Sequence, residues 1–109
     1  MQNLKINSLF SINKKVCVVS GSSGGLGNTV CKCLLRNGAV VIGLDIKKTK
    51  INNKKFFFYN VDLQNKYQLK LLKQSIKKKF KNIDSIVNLA GVSNPVDFEL
   101  NIKNNLIGP

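Results

Sequence analysis

The chain has 109 residues, of which 18 are basic and 5 are acidic, and its formal net charge at pH 7 is +13. It contains no histidine and no C-x-x-C pair, which excludes a histidine base and argues against a metal site. Its apolar runs are too short for a membrane span or a signal peptide, so we expect a cytoplasmic protein with no membrane partner.

The first predicted element is a strand over residues 16–20, which a glycine-rich turn joins to a helix over residues 25–36. Gly21 allows a tight exit from the strand, Gly25 lets the backbone approach a phosphate, and Gly27 lets the helix pack closely on the sheet. Phosphates then face the bare amides at the helix N-terminus. The turn is therefore predicted to bind a dinucleotide pyrophosphate, through Gly21, Ser22, Ser23, Gly25, Leu26 and Gly27.

The three serines of this turn are Ser20, Ser22 and Ser23. They do not match a Gly-x-Ser-x-Gly nucleophile, and the chain has no histidine to activate one. We expect Ser22 and Ser23 to contact phosphate through their hydroxyls and backbone, and Ser20 to hold the turn through its side chain.

The next predicted element, a strand over residues 39–45, ends in Asp45, eighteen residues beyond Gly27. An acid at about this distance accepts hydrogen bonds from the adenosine ribose hydroxyls and repels a 2′-phosphate. The sequence therefore predicts NAD in preference to NADP, bound by Asp45 and Ile46, a preference that the two lysines next in the chain soften. The polar residues 46–55 are too few to predict a helix.

The remaining predicted elements are a strand over residues 56–61, a helix over 65–81, a strand over 84–89 and a helix from about residue 95. Lysines line one face of the 65–81 helix and apolar residues another, which is typical of a helix with one solvated face. Lysines make up 17 of the 18 basic residues, so the charge does not indicate a specific nucleic-acid partner, for which arginine is preferred. The alternation of strands and helices predicts an α/β fold, a Rossmann-type doubly wound parallel sheet with helices on both faces and about four strands.

The chain resembles the short-chain dehydrogenase/reductase family from about residue 9 onward, because five motifs occur in the family's order. They are Ser20–Gly27, Asp45, Asp62-Leu63, Asn88-Leu89-Ala90-Gly91 and Asn105-Leu106-Ile107-Gly108. The resemblance implies that the Asp62 carboxylate and the Leu63 amide contact the adenine. It places Asn88, Ala90 and Gly91 beside the cofactor. It assigns Asn105 to the catalytic tetrad, where its backbone carbonyl holds a water of the proton relay.

The same resemblance implies an NAD(P)-dependent oxidoreductase that transfers a hydride between the nicotinamide and a small alcohol or ketone substrate. The family's catalytic serine and Tyr-x-x-x-Lys lie beyond residue 109, so residues 1–109 are expected to be the N-terminal part of one dinucleotide-binding domain. Neither Tyr59 nor Tyr67 is expected to replace the missing pair. Tyr59 has Leu63 at the fourth position after it, and Tyr67 is followed by Lys70 at a spacing of three, on a helix at the wrong side of the sheet for the chemistry. We expect no turnover from this chain alone and a homo-oligomer at full length.

Two alternatives stay open at this point. The short interval from Asn88 to Asn105, and a match of Gly21, Gly24 and Gly27 to Gly-x-x-Gly-x-x-Gly, point to the family's extended branch of nucleotide-sugar epimerases and dehydratases. The long helix before the last strand favours the classical branch, which we prefer. A non-enzymatic remnant or dinucleotide-sensing module is the third interpretation.

Overall fold

The structure, a computed structural model, describes residues 11–90, which form four strands and two helices. These are β1 (Val16–Ser20), α1 (Gly25–Arg36), β2 (Val40–Asp45), β3 (Phe56–Asn60), α2 (Lys66–Lys79) and β4 (Ser85–Asn88). The predicted order of elements is confirmed over this range, with several ends shifted by one or two residues. The helix predicted from about residue 95 lies outside the described residues, as do Gly91 and Asn105.

The four strands form one parallel sheet in the order β3-β2-β1-β4. The strand order reverses between β1 and β4, and ligands of open parallel sheets bind outside the carboxyl ends of the strands at such a reversal. The register pairs Ser20 with Leu44 on one side and with Asn88 on the other. The carboxyl ends of β1, β2 and β4 are therefore aligned at one end of the sheet.

Each face of the sheet is buried by one helix. The face toward α2 contributes to a core cluster of Val18, Ile42, Leu44, Val61, Leu72, Ile76 and Ile83. The face toward α1 contributes to a second cluster of Cys17, Val19, Cys31, Ala39 and Val41. Because successive strand residues point to opposite faces, a strand covered on both faces needs an unbroken apolar run. The predicted doubly wound parallel sheet is confirmed.

Helix α2 has the predicted amphipathic character. Leu72 and Ile76 are buried in the core, whereas the lysines of the opposite face are exposed at Lys66, Lys70 and Lys77. The helix ends at Lys79, two residues earlier than predicted, because Phe80 adopts an extended conformation with φ −122° and ψ 136°. In that conformation the Phe80 ring packs edge-on against Phe57, with 5.2 Å between the ring centroids.

Residues 46–55 connect β2 to β3 without forming a helix. The segment ends in a turn in which the amide of Phe56 donates to the Asn53 carbonyl at 3.0 Å. Ile51 of this segment and Phe56 at the start of β3 pack against the α1-side cluster. As expected from its length and polarity, the segment is irregular.

Candidate functional site

The glycine-rich turn leaves β1 at the reversal point of the sheet, and two of its glycines are required by contacts. Gly21 has φ +73°, and a Cβ built on it would lie 2.9 Å from the Leu89 carbonyl carbon. A Cβ on Gly27 would overlap the carbonyl oxygen of Gly21. The first turn of α1 is therefore pressed against the glycine-rich turn, which is the close approach that the sequence predicted for Gly27.

The N-terminus of α1 presents unpartnered amides. Gly24 is the N-cap, no side chain caps the helix, and its first turn contains no acid. Within residues 11–90 the amides of Gly25, Leu26 and Gly27 meet no acceptor. A Cβ on Gly25 would meet no atom within 4 Å, so the space beside these donors is open. Free amides at the positive end of a 12-residue helix are a site for an anion.

A pocket of about 280 Å³ lies at the carboxyl ends of β1, β2 and β3. Six of the predicted cofactor-binding residues line it: Gly21, Asp45, Ile46, Asp62, Leu63 and Ala90. Leu44, Val61 and Gln64 complete the lining and were not predicted from the sequence. Leu44 and Val61 are buried apolar residues at the carboxyl ends of β2 and β3, and their position directly before the predicted acids is the signal that marks them as lining.

Asp45 stands at the rim of this pocket and is bound to the backbone on two sides. Its Oδ2 accepts from the Ser23 amide at 2.9 Å, and its Oδ1 accepts from the Lys47 amide at 2.9 Å. The Ser23 hydroxyl donates to the Lys47 carbonyl at 2.7 Å. An ionised carboxylate has about four lone-pair sites, so two acceptor positions are left for the hydroxyls of a ligand.

The two serines expected at the phosphates face other groups. Ser22 is fully buried, its amide donates to the Leu44 carbonyl at 3.2 Å, and its hydroxyl has no partner within residues 11–90. The hydroxyl lies over the sheet, where a Cβ on Gly43 would come within 2.8 Å of the Ser22 Oγ. The Ser23 amide and hydroxyl are both engaged by residues 45 and 47. The phosphate contacts of Ser22 and Ser23 stay a prediction.

Asp62 and Leu63, which also line the pocket, offer a carboxylate acceptor and a free amide donor. The Asp62 carboxylate accepts the Gln64 amide at 3.0 Å through Oδ1, while the Asp62 amide donates to the Gln68 side chain at 2.8 Å. Within residues 11–90 the Leu63 amide has no acceptor. A carboxylate oxygen next to a free amide is the pair that the adenine edge requires, since adenine has an exocyclic amino donor next to a ring-nitrogen acceptor.

The sequence profile of the "short chain dehydrogenase" family matches residues 15–106. The chain belongs to the short-chain dehydrogenase family. One curated relative is an NAD-dependent glycerol dehydrogenase of Listeria innocua, which is 33% identical over a match that covers 77% of this chain and 35% of the relative. Another is a 15-hydroxyprostaglandin dehydrogenase [NAD(+)] of Macaca fascicularis, which is 29% identical over a match that covers 88% of this chain and 40% of the relative. The chain thus spans little more than a third of the length of these relatives.

The fold is shared with solved short-chain dehydrogenases. The crystal structure of a short chain dehydrogenase from Leptospira borgpetersenii with bound NAD+ superposes with a TM-score of 0.72 at 19% identity. The match covers 96% of this chain and 43% of that one. At this identity the likeness shows the fold alone.

In this member of the family, Ser20 joins the glycine-rich turn to β4. Its hydroxyl donates to Asn88 Oδ1 at 2.6 Å and accepts from the amides of Leu89 and Ala90 at 3.1 Å and 3.3 Å. Ser20 was expected to hold the turn through its side chain. It does so through the hydrogen bond to Asn88, which joins β1 to β4 where the strand order reverses. The same bond explains why Asn88 does not line the pocket: its side-chain oxygen is directed at Ser20.

The two tyrosines of the chain are not arranged for the family's proton transfer. Tyr59 lies on β3, packed against the α2-side core, and partial burial raises the pKa of its phenol, opposite to what an acid–base tyrosine needs. Tyr67 lies on α2 with 69% of its surface exposed. Neither is among the residues that line the pocket.

The described residues contain neither a membrane-spanning helix nor a metal-binding cluster. Between residues 11 and 90, neither helix has the length and apolarity to cross a bilayer. Over the same range no three side chains among Cys, Asp and Glu come together as metal ligands would.

Proposed function

We propose that this chain is the NAD-binding N-terminal part of an oxidoreductase that transfers a hydride between the nicotinamide and a small alcohol or ketone substrate. The observation that carries the proposal is the juxtaposition of three groups. The Asp45 carboxylate and the Asp62–Leu63 pair line one pocket, and the lining also includes Gly21 of the glycine-rich turn, which leads to the free amides of α1. We assign the amides to the pyrophosphate, Asp45 to the ribose and the Asp62–Leu63 pair to the adenine. Two relatives whose names include NAD support the same cofactor.

Each part of the dinucleotide has a matching group. The amides of Gly25, Leu26 and Gly27 receive the pyrophosphate, and Gly25 leaves room for it because a Cβ there meets nothing. Asp45 accepts the ribose hydroxyls with its remaining lone pairs, and Ile46, 64% exposed at the pocket rim, covers the sugar. Asp62 and Leu63 bind the adenine edge. NAD, when bound, supplies the hydride acceptor.

The same geometry favours NAD over NADP. A 2′-phosphate would place its charge beside the Asp45 carboxylate. The Coulomb energy of two unit charges is about 332/(εr) kcal/mol, with r their distance in Å and ε the effective dielectric constant, so two partly desolvated anions in contact repel one another by several kcal/mol. The backbone amides that Asp45 already accepts hold the carboxylate at the pocket rim. The neighbouring lysine side chains Lys47 and Lys48 are exposed, so solvent screens their compensating charge.

The rest of the family's machinery is assigned by resemblance. Asn88, Ala90 and Gly91 flank the cofactor, and Asn105 holds a water of the proton relay. The chain binds the cofactor, but it does not turn over substrate by itself because it contains no Tyr-x-x-x-Lys. The full-length protein is a cytoplasmic homo-oligomer. The extended-branch alternative is not favoured, since the relatives named above are dehydrogenases.

The test is a calorimetric titration of the purified chain with NAD. We expect saturable binding that is lost, or weakened at least about tenfold, in Gly25→Val, because the added side chain occupies the space of the pyrophosphate without touching the protein. The matched control is Thr29→Val, one turn further along α1, where an exposed hydroxyl donates to the Gly25 carbonyl. A folded chain that ignores NAD, or a Gly25→Val variant that binds it as the unaltered chain does, would overturn the proposal.

A further inference from the structure

Three hydrogen bonds tie the glycine-rich turn to the segment after β2. The Ser23 amide donates to Asp45 Oδ2, the Lys47 amide donates to Asp45 Oδ1, and the Ser23 hydroxyl donates to the Lys47 carbonyl. Together the three bonds form a closed ring. Ser23 is 22 residues away from Asp45 and 24 residues away from Lys47 along the chain. We refer to Ser23, Asp45 and Lys47 as the clasp.

The clasp holds the part of the turn that directly precedes the free amides. Gly21 and Ser22 are fixed by their amides on the Leu44 carbonyl, and within residues 11–90 the amide of Gly24 bonds only back to Gly21 at 3.3 Å, inside the turn. Ser23 is therefore the last residue before α1 that is fastened to something outside the turn. Two of the three bonds end on a carboxylate, and hydrogen bonds to a charged acceptor are roughly twice as strong as neutral ones.

We propose that the clasp keeps the glycine-rich turn in its phosphate-binding shape, so that Asp45 and Ser23 strengthen pyrophosphate binding without touching a phosphate. This inference rests on the proposed function. It gives Asp45 a second task besides accepting the ribose hydroxyls, and the two tasks are compatible because the amides occupy only half of its lone-pair sites. It makes Ser23 a positioning residue, since its amide and hydroxyl are both directed into the clasp.

A ligand without ribose hydroxyls separates the two tasks of Asp45. ADP presents the adenine, the ribose diol and the diphosphate, whereas 2′,3′-dideoxy-ADP presents the adenine and the diphosphate without the diol. If Asp45 acted only on the diol, Asp45→Asn would weaken ADP and leave dideoxy-ADP unchanged. With the clasp, Asp45→Asn weakens dideoxy-ADP as well, by about three- to tenfold, because one of its two backbone bonds is lost.

The Ser23 variants test the clasp from its other side. Ser23→Ala removes the hydroxyl bond to Lys47 and is expected to weaken ADP and dideoxy-ADP by the same factor, about two- to fivefold. Ser23→Thr keeps the hydroxyl and restores binding of both ligands. Ser75→Ala, an exposed serine on α2, is the matched control and leaves both affinities unchanged.

The binding series is read together with amide hydrogen exchange of the unliganded chain. The Ser23 amide is expected to be protected in the unaltered chain and to exchange faster in Asp45→Asn, which reports the clasp even where a variant binds too weakly to measure. If dideoxy-ADP binds Asp45→Asn and Ser23→Ala as it binds the unaltered chain, the clasp is wrong while the proposed function stands. If the unaltered chain binds neither NAD nor ADP, both the clasp proposal and the proposed function are wrong.

Discussion

The Ser20 hydroxyl donates a 2.6 Å hydrogen bond to the side-chain oxygen of Asn88, and the two residues are register partners at the carboxyl ends of β1 and β4. Ser20 is fully buried, and its oxygen also accepts the two amides that follow Asn88 in the chain. One hydroxyl thus fixes the start of the glycine-rich turn relative to the last described strand.

Replacing this hydroxyl is expected to lower stability. In Ser20→Ala the Asn88 oxygen and the Ala90 amide lose their partner in a partly buried place, which costs about 1–3 kcal/mol of the free energy of unfolding. Urea denaturation followed by circular dichroism measures the loss. Ser75→Ala on the surface of α2 is the control and should unfold at the urea midpoint of the unaltered chain; equal midpoints for both variants would contradict the role of Ser20.

Gly27 and Gly25 form a matched pair of alanine substitutions two residues apart in one helix. A Cβ at position 27 overlaps the Gly21 carbonyl, so Gly27→Ala must displace the turn, and we expect a loss of about 2 kcal/mol or more in unfolding free energy. At position 25 the Cβ meets nothing, so Gly25→Ala leaves stability unchanged or raises it by up to about 1 kcal/mol through helix propensity. Thermal unfolding of the two variants should move in opposite directions or differ by several degrees.

Ser22→Ala is expected to be neutral or stabilising. Its hydroxyl is buried with no partner within residues 11–90, and an unsatisfied buried polar group costs about 1–3 kcal/mol. NAD affinity should stay within about twofold, because the hydroxyl lies against Gly43 of the sheet. A marked drop in NAD affinity on calorimetry would instead restore the phosphate contact that the sequence suggested for this serine.

Asp45→Ala is expected to reduce the preference for NAD. Removal of the carboxylate deletes charge-assisted bonds to the ribose, worth about 1.5–3 kcal/mol, and so weakens NAD roughly 10- to 100-fold. It also removes the repulsion of a 2′-phosphate, so NADP should weaken far less or bind more tightly. The measurement is the ratio of the two dissociation constants. Lys50→Ala in the irregular 46–55 segment, a change of charge outside the pocket, is the control and should keep the ratio.

The three cysteines should differ in reactivity. Burial raises the pKa of the Cys31 thiol from 9.0 to about 11, and Cys17 is also buried, whereas Cys33 is exposed. Iodoacetamide at pH 8 should label Cys33 alone in the folded chain and all three after denaturation, as counted by mass spectrometry. The folded state holds the Cys31 proton more tightly than the unfolded state does. The protonated thiol therefore contributes fully to the free energy of unfolding below pH 9, and this contribution is lost as the pH rises toward 11. Rapid labelling of Cys31 at pH 8 in the folded chain would be inconsistent with this arrangement.

Much of the fold could be read from local pattern. The apolar run before Gly21 and the run ending in Asp45 are each short and bounded by turn residues, and buried parallel strands require such runs. The roles of Gly21 and Gly27 were predictable because few residues other than glycine tolerate a positive φ or a backbone contact of that kind. Asp45 was predicted from its position at the end of a strand, and Asp62 and Leu63 from the resemblance to the family; all three line one pocket.

What the sequence could not predict depends on contacts between distant segments. Ser22 and Ser23 are adjacent and chemically identical, yet the path of the backbone buries one over Gly43 and turns the other toward residue 47. No local signal separates them. In the same way Phe80, where α2 ends, packs against Phe57 of β3, which is far away along the chain.

The order of strands has a consequence for how the chain is made. β1 occupies an interior position, and its partner β4 is 68 residues away along the polypeptide at the Ser20–Asn88 bond. During synthesis β1, β2 and β3 emerge first and can associate, while one side of β1 waits with open backbone groups until residue 88 has left the ribosome. The second side of β1 can therefore pair only after the last strand within residues 11–90 has emerged.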